Sequence, residues 1–288
     1  MRTGIDSYSY HRRYGEIRPG EVMPAVAPSW PLEPSLVLAH ARALAVDDLY
    51  LETCYLPEPE MITAETLAPA GPVRVGFSWG HPWPAGAFHG LDGGRTPAAE
   101  GHLARWIACA ARLGHPVMRI TLGSPASRGT EPAAVLVDRL IAPTRRAAER
   151  AAAVGLSLAI ENHGDLRAQD LAEVLERVGM PNLGVTLDNV NLIRVGDDML
   201  EGTRVLASRT LLVQLKDHPV EPNPRREGGA QSVALGEGVA PLDEVVAILA
   251  AAGYDGAVCV ELASLGGEDV DEFAMIERSV GWLRAHLP

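Results

Sequence analysis

Four short runs in this 288-residue chain each carry a polar side chain at the end of an apolar stretch: Ile160-Glu161-Asn162-His163, Thr186-Leu187-Asp188, Val213-Gln214-Leu215-Lys216 and Cys259-Val260-Glu261. Read as consecutive strands, they bring Glu161, Asp188, Gln214 and Glu261 to one level, each preceded by apolar residues. Carboxylates gathered away from water repel one another, so their pKa values rise or a cation joins them, and a divalent ion resolves the conflict. An all-oxygen set of carboxylates and an amide carbonyl suits Mn²⁺ or Mg²⁺ better than zinc, which favours nitrogen and sulfur. The expectation is one divalent ion held by Glu161, Asp188, Gln214 and Glu261. A single acid at a strand end is more often a helix cap or a salt-bridge partner; the repetition on successive strands is what argues for a site.

Residues two apart on a strand share a face. His163 therefore faces the same side as Glu161, where a neutral imidazole is a natural general acid or base. Lys216 has the parity of Gln214 and is placed to stabilise a developing oxyanion, or to pair with Glu237 or Asp217. His11, His81 and His218 fall in loops after strands and make a polar mouth, and Trp79 offers a flat apolar wall for a bound ring.

The elements that must position these groups follow from periodicity. Short apolar, β-branched runs alternate with longer Ala/Leu/Arg/Glu segments of helical period, the signature of repeated βα units. Strands are predicted near 2–6, 48–53, 72–78, 116–122, 156–161, 183–188, 210–216 and 257–261, and helices near 34–45, 58–68, 97–113, 132–154, 168–178, 198–207, 241–252 and 270–286. Eight such units predict an α/β fold, a single-domain (β/α)8 TIM barrel over residues 1–288, a size such barrels commonly have. The loops 7–33, 79–96 and 217–240 are longer than a barrel needs. All three follow strands, on the side where barrels build active sites.

Composition narrows the function. A hydrophobic fraction of 47% supplies a core, and a formal net charge of −12 argues against gripping a phosphate backbone, so no nucleic-acid partner is expected. Three scattered cysteines suggest neither a disulfide framework nor a thiolate zinc site, and suit a reducing cytoplasm. No run is long and apolar enough to span a membrane, and none is expected to bind one. Lys216 is the only lysine among 25 Lys and Arg residues.

These runs, together with Asn189-Val190-Asn191, Asp217 and Leu235-Gly236-Glu237-Gly238, resemble the xylose-isomerase-like barrel superfamily of sugar isomerases and epimerases. The resemblance covers nearly the whole chain. It implies that Glu161, Asp188 and Glu261 are metal ligands, with Gln214 where many members carry a histidine. Asn191 stands where several ketose epimerases have a substrate-contacting histidine. The implied activity is metal-dependent isomerisation or epimerisation of a carbohydrate or keto sugar by proton abstraction beside a carbonyl, with Glu161 and Glu261 shuttling protons. The alternative on the same scaffold is a lyase, as in inosose dehydratases or the barrel subunit of C-glycoside deglycosidases. That alternative calls for a second subunit in the deglycosidase case; otherwise a homo-oligomer is the expected assembly. An endonuclease IV-like role would need a histidine-rich multi-metal cluster and a basic face, and the chain offers neither.

Overall fold

Eight parallel strands pair in sequence order and close on themselves, β1 hydrogen-bonding to β8, in the computed structural model of the chain. They are β1 (Arg2–Asp6), β2 (Asp48–Glu52), β3 (Arg74–Trp79), β4 (Val117–Ile120), β5 (Ser157–Glu161), β6 (Leu183–Asp188), β7 (Thr210–Leu215) and β8 (Ala257–Val260). The structure describes residues 1–18, 21, 34–81, 83, 90–91, 97–125, 130–219, 231–265 and 270–288. Much of the loops 7–33, 79–96 and 217–240 therefore lies outside the described residues.

Helices pack around the sheet: α1 (Ser35–Ala43), α2 (Ala64–Leu67), α3 (Pro97–Leu113), α4 (Ala133–Ala152), α5 (Ala168–Val178), α6 (Asn189–Arg194), α7 (Met199–Leu206), α8 (Leu242–Ala251) and α9 (Glu272–His286). Among the described residues none is long and apolar enough to cross a membrane. The helix expected over 58–68 is broken into 3-10 turns at Pro59–Met61 and Ala68–Ala70 around a four-residue α2. Pro57, Pro59 and Pro69 remove backbone donors there, and Thr63 caps α2 from inside the predicted span. Two elements exceed expectation. Ser7–Tyr14 winds into a 3-10 helix directly after β1, and α6 starts directly after β6 with Asp188 as its N-cap.

Parity sorts the strand residues into an outer apolar face against the helices and an inner face that fills the barrel in tiers. Tyr50, Ala159, Leu212, Ala257 and Cys259 form an apolar tier inside. Gly4 and Gly76 make room for it: a Cβ at Gly4 would meet Cys259 Sγ at 2.5 Å, and one at Gly76 would meet the Tyr50 ring at 2.7 Å. The next tier toward the carboxyl ends is polar.

Candidate active site

The polar tier draws on every strand. Asp6, Glu52, Ser78, Arg119, Glu161, Asp188, Gln214 and Glu261 stand at or just beyond the last inward positions of β1 to β8, and all eight are buried. The four from β5 to β8 were expected. Asp6 and Glu52 end their strands as Asp188 and Glu161 do, so the same signal was present in β1 and β2. Arg119 was missed because it lies within an otherwise apolar strand, where nothing in the sequence says which side it faces.

Two cations bind this tier together. Arg119 Nη1 donates to Glu52 Oε1 at 2.8 Å, and its Nη2 pairs with Glu161 Oε2. Lys216, one residue beyond β7, places Nζ 2.6 Å from Asp188 Oδ2 and 2.7 Å from Glu261 Oε1. Its partners are thus the strand-end acids on either side rather than Glu237 or Asp217. Asn191 joins the two halves by donating from Nδ2 to Glu161 Oε1 (3.0 Å) and Asp188 Oδ2 (2.6 Å).

The asparagines that follow two of the acids extend the ladder. Asn162 Nδ2 donates to the Asp188 carbonyl and Asn162 Oδ1 accepts from the Asp188 N–H, both at 2.8 Å. Asn189 does the same for Lys216, at 2.9 Å in each direction. Each side chain imitates a neighbouring strand at the point where the sheet ends, which fixes the backbone beneath Asp188 and Lys216. Asp217 organises the loop above by accepting N–H bonds from His218, Gly236, Gly238 and Ala240.

Above the tier opens a cleft of about 730 Å³, its mouth included, walled by Glu161, His163, Asn191, Lys216, His218 and Glu261, with Arg119, Glu52 and His81 also reaching it. Asp188 and Gln214 do not line it. His81 is held by Glu16, whose carboxylate lies 2.8 Å from Nε2 and also accepts from Tyr55 Oη at 2.6 Å. Tyr8, from the long loop after β1, also lines the cleft, and Glu16, Arg18 and Arg194 are further neighbours that sequence reasoning did not single out. Two expected substrate contacts point elsewhere. Trp79 is the last residue of β3 and faces out, donating from Nε1 to His102 of α3 at 2.9 Å. His11 is fully buried between the Tyr8 carbonyl and Glu21 and lies away from the cleft. Trp83 packs as a partly buried side chain against the core.

The contacts set charge states. Burial alone would raise Glu161, but Arg119 above all, with His163 and Lys216, brings its pKa down to about 2. Burial pushes Glu261 up to about 8; Lys216 opposes this, and Asp6, Asp188 and Glu161 add to it. His163 is lowered to about 4 by burial, against the pull of Glu161. Its Nδ1 lies 2.9 Å from the Gly123 carbonyl, which only accepts, so Nδ1 carries the hydrogen and Nε2 keeps its lone pair.

This arrangement does not fit the expected divalent ion. Asp188 is saturated: Oδ1 accepts the Val190 and Asn191 N–H groups, and Oδ2 takes Asn191 Nδ2 and the Lys216 ammonium. Glu161 accepts from Asn191 at Oε1, and its Oε2 is paired in charge with Arg119 but makes no hydrogen bond among the described residues. Gln214 turns its Nε2 toward Asp6 Oδ2 at 3.1 Å, and its Oε1 is buried with no hydrogen-bond partner among the described residues. Among those residues no group of three or more His, Cys, Asp and Glu side chains is set to hold a metal. The Lys216 ammonium lies between Asp188 and Glu261, two of the four expected ligands.

Known proteins share the whole architecture. A xylose isomerase domain protein from Planctomyces limnophilus is 23% identical, with 86% of this chain and 90% of that one covered at a TM-score of 0.68. An L-ribulose 3-epimerase is 18% identical over 99% and 94% of the two chains, with a TM-score of 0.70. The D-psicose 3-epimerase of Clostridium cellulolyticum H10 is 16% identical over 100% and 99%, with a TM-score of 0.71. No curated protein matches the chain by sequence. The sequence profile of the xylose isomerase-like TIM barrels matches residues 78–286, which spans the last two residues of β3, all of β4 to β8, and Glu161, Glu261, the asparagines and the lysine of the site. The chain therefore belongs to the xylose isomerase-like TIM-barrel family.

Proposed function

We propose that the protein is a sugar isomerase or epimerase that moves a proton on carbon next to a carbonyl. The observation that carries this reading is the pair Glu161 and Glu261, three strands apart on one cleft and tied to different cations. Arg119 holds Glu161 ionised, ready to accept a proton, while burial keeps Glu261 protonated near neutral pH, ready to return one. Two carboxyls whose environments drive them to opposite protonation states are suited to acid and base roles in one site. His163, neutral with a bare Nε2, supplies a third group able to relay a hydroxyl proton.

The cleft walls suit a polyhydroxylated ligand. Asn191, His81, His218 and Glu52 line them, and Glu261 Oε2 is buried without a hydrogen-bond partner among the described residues, so its hydroxyl in the protonated form can donate to a sugar oxygen. Family membership and barrel neighbours that include an L-ribulose 3-epimerase and a D-psicose 3-epimerase support the same class.

The test is solvent exchange. Purified protein is incubated in D₂O with ketoses, 3-keto sugars and inososes, and deuterium at the carbon beside the carbonyl is read by NMR. Incorporation into at least one substrate is expected. Absence of exchange across the panel would overturn the reading, and elimination of water or an aglycone in its place would identify the lyase.

A further inference from the structure

We propose that the Lys216 ammonium does in this cleft the electrostatic work of a divalent ion: it binds the substrate's carbonyl oxygen and stabilises the negative charge that forms there. The inference rests on the proton-transfer reading above and names the group that makes the transfer possible. Lys216 lies between Asp188 and Glu261, two of the acids expected to hold an ion, and its side chain is 8% exposed. Two of its three N–H bonds go to those acids, which leaves the third for a ligand in the cleft that Lys216 lines.

The sequence context fits this use. Among the 25 Lys and Arg residues of the chain, this position alone is lysine. A compact ammonium can meet three converging oxygens as a metal ion does, whereas a planar guanidinium fork cannot. The frame is rigid, because Asn189 clamps the Lys216 N–H and carbonyl while Asn162 clamps those of Asp188. A donor held in advance where charge develops is the arrangement that stabilises a transition state.

In the step itself the substrate C–H bond breaks and its proton passes to Glu161. The C–H electron pair becomes the new carbon–carbon double bond, and the carbonyl π pair moves onto oxygen against the Lys216 N–H. Delivery of the Glu261 proton to carbon reverses the electron flow, and exchange with water resets the two acids. No oxidant or second reactant enters.

Metal binding needs no substrate and is measured first. Native protein dialysed against a chelator is titrated calorimetrically with Mn²⁺, beside a Lys216→Met variant. Native protein is expected to take up no stoichiometric ion. The variant, its carboxylates now without their ammonium, is expected to bind about one ion at least ~10-fold more tightly. Stoichiometric, tight Mn²⁺ binding by native protein overturns the proposal, as does exchange activity that the chelator abolishes and Mn²⁺ restores. In the exchange assay Lys216→Met should lose about 10²-fold or more in kcat, the scale for one preorganised donor, with an unchanged circular dichroism spectrum. An unimpaired variant also overturns it. Should the variant not fold, the native titration and chelator experiment decide. If no substrate exchanges, the proposed function fails, and the replacement of an ion by Lys216 is judged on the titration alone.

Discussion

Asn189 and Lys216 are joined as two neighbouring strands are, by a pair of 2.9 Å hydrogen bonds, although one partner is a side chain. Both residues are buried. Asn189→Ala leaves the Lys216 N–H and carbonyl without partners, at a cost of about 1–3 kcal/mol for each group. The urea midpoint should fall accordingly. Asn189→Asp keeps the acceptor and loses the donor, so its midpoint should lie between the two; a midpoint equal to that of native protein for either variant would contradict the clamp.

Arg119 is the only cation holding Glu161 and Glu52 among the described contacts of those two acids. Arg119→Met strands Glu161 as a buried carboxylate and leaves Glu52, already raised by burial, without its donor; breaking a buried pair in this way costs about 3–5 kcal/mol. Chemical denaturation at pH 7 should show that loss, and at pH 5 the loss should shrink because protonation then relieves the stranded acids. A variant with native stability at both pH values would show that the ion pairs do not hold the tier.

Glu16 gives an acid-dependent stability of known sign. Burial would raise its carboxyl, but the His81 hydrogen bond and charge, with Tyr55 and Arg18, bring it down to about 2, below the ordinary 4.5. Its contribution is therefore complete above pH 4.5 and is lost as pH falls toward 2, to a ceiling of roughly 3 kcal/mol. His81, lowered by burial, acts in the same direction below its ordinary 6.5. Glu16→Gln should be less stable than native protein at pH 6, with the gap narrowing to less than half by pH 3 and closing toward pH 2; a gap that stays constant would rule out Glu16 as the source.

His163→Asn tests the relay. With Nδ1 committed to Gly123, only Nε2 can accept a substrate proton. The change should cost about 10²-fold in turnover, the scale of a general base, while solvent exchange at carbon falls much less because the two glutamates remain. Equal losses in both measurements would place His163 at the carbon proton instead.

The barrel was legible because each strand is a short apolar run with a polar end, and every predicted strand begins and ends within two residues of the observed one. The site was legible in its members and not in its connections. Glu161, Asp188, Gln214 and Glu261 reached the expected tier, yet strand parity does not report that Asp188 caps α6 or that Arg119 crosses from β4. Nor does it say which end of the Gln214 amide faces Asp6. Trp79 shows the same limit: a strand one residue longer than predicted turned an expected sugar wall into a partner of His102. Long-range pairings of this kind depend on side-chain reach between strands, which a single strand's pattern does not encode.

A chain with one lysine has one side-chain amine, and here that amine lies inside the cleft. A ¹³C-methyl group placed on Lys216 by reductive alkylation would be the only side-chain amine signal of the molecule, a built-in reporter of what enters its cleft.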